Sequence, residues 1–156
     1  MKKIFRVVVF VSLPVYILAL LYILFFRYRY GLGIEAGLFA ERIKYATNFV
    51  PFRTIGTFLT RLFEGSINTS IVVENLLGNL LLFFPLGLYL PFLFKKFSRL
   101  PIYAMWVALV ILLVEIMQFI IQMGSLDVDD FILNFSGAIM GWLIFTKTPL
   151  KKLLNS

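Results

Sequence analysis

Apolar residues dominate four stretches of this chain, 7–26, 71–94, 101–123 and 127–145, each about long enough to cross a bilayer as a helix. The first follows the basic start Met1-Lys2-Lys3-Ile4-Phe5-Arg6. It is long for a signal-peptide core. Phe25-Phe26-Arg27 follows it where a cleavable leader would carry small residues, so it reads as a retained anchor and not a cleaved signal. Pro14 lies inside it as a site for a kink.

Residues 27–70 form the longest connection and are expected to be external. Gly31-Leu32-Gly33 predicts a flexible break, and 34–46 a short helix. Asn48-Phe49-Val50-Pro51-Phe52 reads as a turn. From Phe52 to Phe63, Ile55, Phe58, Leu59 and Leu62 recur at helical spacing, with Arg53, Thr57, Thr60, Arg61 and Glu64 on the other side. That is an amphipathic helix, which either lies in the head-group layer or packs on the bundle.

The polar residues inside the apolar runs are the next signal. Asp127-Val128-Asp129-Asp130 opens the fourth run, and Asp130, Asn134, Gly137 and Gly141 share one helical face. Glu115, Gln118 and Gln122 form a stripe on the third, and Asn75 and Asn79 lie on one face of the second with Gly78 beside them. Hydrocarbon cannot hydrogen-bond such groups, so they should face other helices or a wet cavity. Counted from the helix ends, Asn79, Glu115 and Asn134 lie on the order of 10–13 Å below one surface, a depth that predicts convergence. A charged Glu115 there must be protonated, paired, hydrated or metal-bound. A clasp of interhelical hydrogen bonds is the simplest role, and a ligand, ion or catalytic site the alternative. Gly137 to Gly141 is a small-xxx-small pattern that predicts close packing against a neighbouring helix. Phe84-Pro85-Leu86-Gly87 predicts a bend in the second span.

Composition agrees. The chain has 156 residues, 61% hydrophobic, with mean hydropathy +0.95, more apolar surface than a soluble domain of this size can hide. There is no Cys and no His, which excludes disulfides, thiol chemistry, serine–histidine triads and most zinc sites. The net charge of +7 does not require nucleic acid. Lys2, Lys3 and Arg6, then Lys95, Lys96 and Arg99, then Lys147, Lys151 and Lys152 fall on one side of four spans, which predicts cytoplasmic N- and C-termini. The acidic residues then fall outside or in the outer halves of the spans. Asp127 and Asp130 supply oxygen ligands of the type that Mg²⁺ or Ca²⁺ takes, although the segment lacks an EF-hand pattern.

Four stretches carry a resemblance: Asn48-Phe49-Val50-Pro51-Phe52-Arg53-Thr54; Asn75-Leu76-Leu77-Gly78-Asn79 through Phe83-Phe84-Pro85-Leu86-Gly87; Glu115-Ile116-Met117-Gln118; and Asp127-Val128-Asp129-Asp130 through Asn134 to Gly137. In this order they resemble the VanZ-like family of bacterial membrane proteins. The resemblance implies a multi-span membrane protein, and the family's namesake is associated with resistance to teicoplanin, a lipid-tailed glycopeptide. It implies no settled mechanism and no assigned catalytic residues. Relatives often carry a basic residue before the Asp run, where this chain has Gly124-Ser125-Leu126.

The expectation is an all-α integral membrane protein, a bundle of about four transmembrane helices plus an amphipathic interfacial helix, in one domain over residues 1–156. Asn48, Arg53, Asn75, Asn79, Gln118, Asp127 and Asn134 are the candidate ligand-binding residues. The ligand class is membrane lipid or an amphiphilic, lipid-linked envelope molecule, met at the outer leaflet beneath the amphipathic helix. In an enzyme acting on such a molecule, Glu115 and Asp130 would do the acid–base work, with Asp127 and Asp130 holding a divalent cation. A small proton-coupled carrier built on Glu115 is the third reading, against which stand the few spans and the lack of an inverted repeat.

Overall fold

A computed structural model of the chain describes residues 2–27, 46–121 and 124–148. The Gly31–Gly33 break, the helix expected over 34–46, Gln122, Lys151 and Lys152 lie outside the described residues. Helix α1 spans Lys2–Tyr22 and runs on into a π-helical turn, Ile23–Arg27. Strand β1, Thr47–Asn48, precedes the amphipathic helix α2, Arg53–Phe63. The second span is two helices, α3 (Thr69–Leu82) and α4 (Phe84–Leu93), joined at Phe83. A short 3-10 turn at Lys95–Ser98 leads to α5, Leu100–Ile120. Strand β2, Leu126–Asp127, leads into α6, Val128–Lys147. Among the described residues, four helical stretches are long and apolar enough to cross a membrane: Val7–Phe26, Thr69–Leu93, Leu100–Ile120 and Val128–Lys147. The all-α expectation holds, with a two-residue parallel bridge added between β1 and β2.

Backbone groups freed by the sequence are taken up between helices. Pro85 has no N–H to give, and the Leu86 N–H turns to Phe83 O, so the ladder breaks at Phe83. The Leu82 carbonyl beside the break accepts from Tyr16 Oη at 2.8 Å, which ties α1 to the second span. Tyr89 Oη donates to Ser12 Oγ at 3.0 Å one turn away. The π turn works in the same way: its Leu24 carbonyl accepts from Gln118 Nε2 of α5 at 2.8 Å.

Helix α6 sits at the centre. A Cβ on Gly137 would overlap the Leu80 carbonyl oxygen, and one on Gly141 would overlap that of Phe84. On the facing helix, a Cβ on Gly87 would run into the Ala138 and Trp142 backbone. The small-residue face of α6 thus packs inside its own chain, against α3 and α4, as the pattern predicts. Gly78 of α3 makes no such contact: nothing lies within 4 Å of where its Cβ would be. Polar hooks complete the contact, with Tyr103 Oη on the Ala138 carbonyl at 3.1 Å and Trp142 Nε1 on the Phe97 carbonyl at 2.8 Å. Phe83, Tyr103, Val107, Ile111 and Ala138 are fully buried between the helices, while Val8, Phe10, Leu18 and Met105 stand exposed on the outside. An apolar exterior around a knitted interior is what lipid as solvent selects.

Substitution should separate the two kinds of glycine. Gly137→Ala is expected to lose at least about 1–3 kcal/mol to overpacking, lowering the melting temperature of the detergent-solubilised protein. Gly78→Ala meets open space and should be neutral or gain up to about 1 kcal/mol of helix propensity. Equal melting of the two variants would contradict this packing.

Candidate functional site

The site lies at the end of the bundle where α5 ends and α3 and α6 begin. Asp127 caps α6, its Oδ1 accepting from the Asp129 N–H at 2.8 Å, and Asp129 and Asp130 fill the first turn where the helix dipole favours negative charge. These carboxylates then reach outward. Asp129 is wholly buried, and its oxygens accept the backbone N–H groups of Phe52, Thr54 (2.7 Å) and Ile55 (3.1 Å). Those are the donors that the first turn of α2 leaves unpaired. Phe52, the residue before α2, has no side chain able to cap it. A carboxylate 77 positions away caps it instead. Two helix N-termini therefore converge on one anion.

Asp127 makes the second link. Its Oδ2 accepts from Thr54 Oγ1 at 2.6 Å, and its Oδ1 also accepts from Asn48 Nδ2 at 2.9 Å. Asn48 Oδ1 closes its own turn by accepting the Val50 N–H at 3.1 Å. The parallel pairing of Thr47 with Leu126 and Asn48 with Asp127 sets the register. This bridge and these carboxylates fasten α2 to the mouth of the bundle. Phe52 has φ 64°, a left-handed conformation that costs a bulky residue about 1–2 kcal/mol. Hydrogen bonds to a charged acceptor contribute roughly 1.5–3 kcal/mol each, so three of them outweigh that strain.

Deeper in, Asn79 Nδ2 of α3 donates to Asp130 Oδ1. Glu115 of α5 is 4% exposed and lies close to Asp130 and Asp127. Asn134 is one turn below Asp130 on α6 and 2% exposed, and its Oδ1 has no hydrogen-bond partner among the described residues. The structure thus brings Asn48, Asn79, Glu115, Asp127 and Asp130 to one place. Asn75 does not join them: its amide bonds the Ile71 carbonyl of its own helix at 2.7 Å. Gln118 turns away to α1, so the polar stripe on α5 splits between two neighbours. Among the described residues, no set of three or more His, Cys, Asp or Glu is arranged to hold a metal ion. Asp127, one of the two expected cation ligands, engages both its oxygens with N–H and O–H donors.

Sequence reasoning missed two members. The sequence pattern marks Asp129 only as part of the acidic start of the fourth span, and gives Thr54 no role. The signal for both was the start of α2: a helix that begins at Pro51-Phe52-Arg53 with no Ser, Thr, Asp or Asn as cap needs an acceptor from elsewhere.

Over the mouth lies an open groove of ≈ 450 Å³, lined by the polar side of α2 with Arg53, Thr57 and Arg61, and by Asn48, Ser125 and Asp127. No residue of α2 is buried; Phe63 at its end is 87% exposed, and Phe49, Val50 and Phe52 before it are exposed as well.

The sequence profile of the VanZ/LLP1 family matches residues 13–152. The chain is similar to Protein VanZ of Enterococcus faecium, 27% identical over 133 residues that cover 85% of this chain and 70% of that protein. No solved structure matches.

Asp129→Asn should loosen α2 without unfolding the spans. The amide places a donor against N–H donors, and each charge-assisted bond lost costs roughly 1.5–3 kcal/mol. Hydrogen exchange of the Arg53–Phe63 amides should rise at least tenfold, with α5 unchanged before its last turn and α6 unchanged beyond its first. Native-like protection of α2 in this variant would contradict the cap.

Proposed function

Because the chain belongs to the VanZ/LLP1 family, a family of multi-span membrane proteins, we propose that it recognises an amphiphilic or lipid-linked cell-envelope molecule at the outer leaflet and so contributes to glycopeptide resistance of the teicoplanin type. The observation that carries this reading is the amphipathic helix locked by buried carboxylates across the bundle mouth. Such a helix has a polar side toward the groove and exposed Leu59 and Phe63, which suits residence among head groups. The basic clusters support the orientation: the turn Lys95–Ser98 lies at the end opposite the site, and basic turns stay in the cytoplasm.

A second reading is favoured by one observation. Asn134 Oδ1 is buried without a donor among the described residues, on the same α6 face as Asp130, while Glu115 is buried near Asp130. In an enzyme, these would be a carboxylic acid, a carboxylate and an amide acceptor poised around a substrate hydroxyl or amine.

Three measurements check these readings. A reporter fused after Arg99 should be cytoplasmic, and an external signal there would overturn the outer-leaflet assignment. Glu115→Gln and Asp130→Asn preserve shape and hydrogen bonding while removing charge, so both should accumulate near wild-type level. Both should nonetheless return teicoplanin susceptibility to that of cells without the protein. Full protection by both variants at matched protein level would reduce the cluster to a structural clasp.

A further inference from the structure

The two arginines of the groove play no part in holding α2. Arg53 and Arg61 lie eight residues apart with Thr57 between them, so they follow one side of α2 at a separation of about 12 Å along the helix axis. Among the described residues, neither forms an ion pair. The two carboxylates that fasten α2 are engaged elsewhere: Asp129 holds the N–H groups of α2, and Asp127 holds Asn48, Thr54 and the Asp129 N–H. Asn48 and Thr57 already donate, to Asp127 and to the Arg53 carbonyl. The groove therefore offers two guanidinium groups, with Ser125 on its far wall. Phe58 adds an apolar patch to the same lining.

Where α2 lies fixes what these groups meet. Phe52, Leu59 and Phe63 are exposed and need a covering, and an interfacial helix buries such a side about 5–10 Å into the head-group and acyl boundary. That depth puts the opposite, arginine-bearing side level with lipid phosphates. Guanidinium pairs match phosphate oxygens with forked hydrogen bonds, and Arg keeps its charge in this partly dry layer.

We infer that the groove between α2 and the β1–β2 bridge is a binding site for a lipid phosphate, with Arg53 and Arg61 as the clamp and Phe58 against the start of the tail. This rests on the reading that the protein recognises an amphiphile at the membrane surface, and it names the chemical group recognised. The Asp127 carboxylate in the lining sets the limit of the site: it disfavours anions that fail to reach both arginines.

The full chain in phosphatidylcholine nanodiscs, titrated with dioctanoyl phosphatidic acid, tests it. Saturable binding is expected, with dioctanoylglycerol at least tenfold weaker. The double variant Arg53→Gln with Arg61→Gln should lose roughly tenfold or more in affinity, as the loss of charge-assisted bonds implies. Arg53→Lys with Arg61→Lys should retain part of it. Lys95→Gln with Lys96→Gln, at the opposite end of the bundle, should bind as wild type does, which separates the groove from attraction by net charge. Inorganic phosphate at equal concentration should not compete, and if it does, the lipid assignment falls. Wild-type affinity in the Arg-to-Gln variant, or equal binding of dioctanoylglycerol, would overturn the site. Should that variant bind as wild type does while Glu115→Gln still abolishes protection from teicoplanin, this inference fails and the proposed function stands. Should binding vanish with protection intact, the site stands and the proposed function fails.

Discussion

A buried carboxylate in a membrane protein is tolerable only if donors surround it, and Asp129 has them. The first turn of α2 directs its free N–H groups at this one residue, which itself stands in the first turn of α6, where the helix dipole favours negative charge. Without the start of α2, Asp129 would lose all three of these donors. Without Asp129, α2 would be an uncapped amphipathic helix of 11 residues, too short to be stable alone. Each makes the other possible. The Asp127 links and the β1–β2 bridge then set the orientation of α2 over the mouth, and the groove exists because of that orientation.

The same logic of exposed and satisfied backbone runs through the bundle. Pro85 breaks the second span, and the π turn disturbs the end of the first. The carbonyls left over become sites that Tyr16 and Gln118 fill from neighbouring helices. The glycines of α6 and α4 let backbones touch, so van der Waals packing replaces the hydrophobic drive that lipid does not supply. A rigid bundle results, and its one elaborated end holds the polar residues that lipid would not accept.

Much of this was legible in the sequence. Length and hydropathy set the four spans to within a few residues, and the small-residue spacing placed Gly137 and Gly141 at a helix contact. The shared depth of Asn79, Glu115 and Asn134 pointed to the end of the bundle where Asn79, Asp130 and Glu115 lie together. What local pattern could not show was partnership across distance. Asn75 and Asn79 lie one turn apart on a single face, yet one bonds its own helix and the other reaches Asp130. Gln118 fits a stripe with Glu115, but the π turn of α1 offers it a carbonyl that no periodicity foretells. Nothing local marks Asp129 as a cap for α2, because its three partners belong to another segment.

The groove and the buried carboxylates both require α2 to be docked to the start of α6 in the membrane. The chain has no cysteine, so a pair can be introduced without background. Thr47 and Leu126 are directly paired across the parallel bridge, at a spacing of the order of 5 Å that suits a disulfide. Oxidation of Thr47→Cys with Leu126→Cys in native membranes should give a near-quantitative intramolecular disulfide, while Phe63→Cys with Leu126→Cys stays reduced. Absence of the 47–126 cross-link, or equal yield from both pairs, would show that α2 is not held where the carboxylates place it.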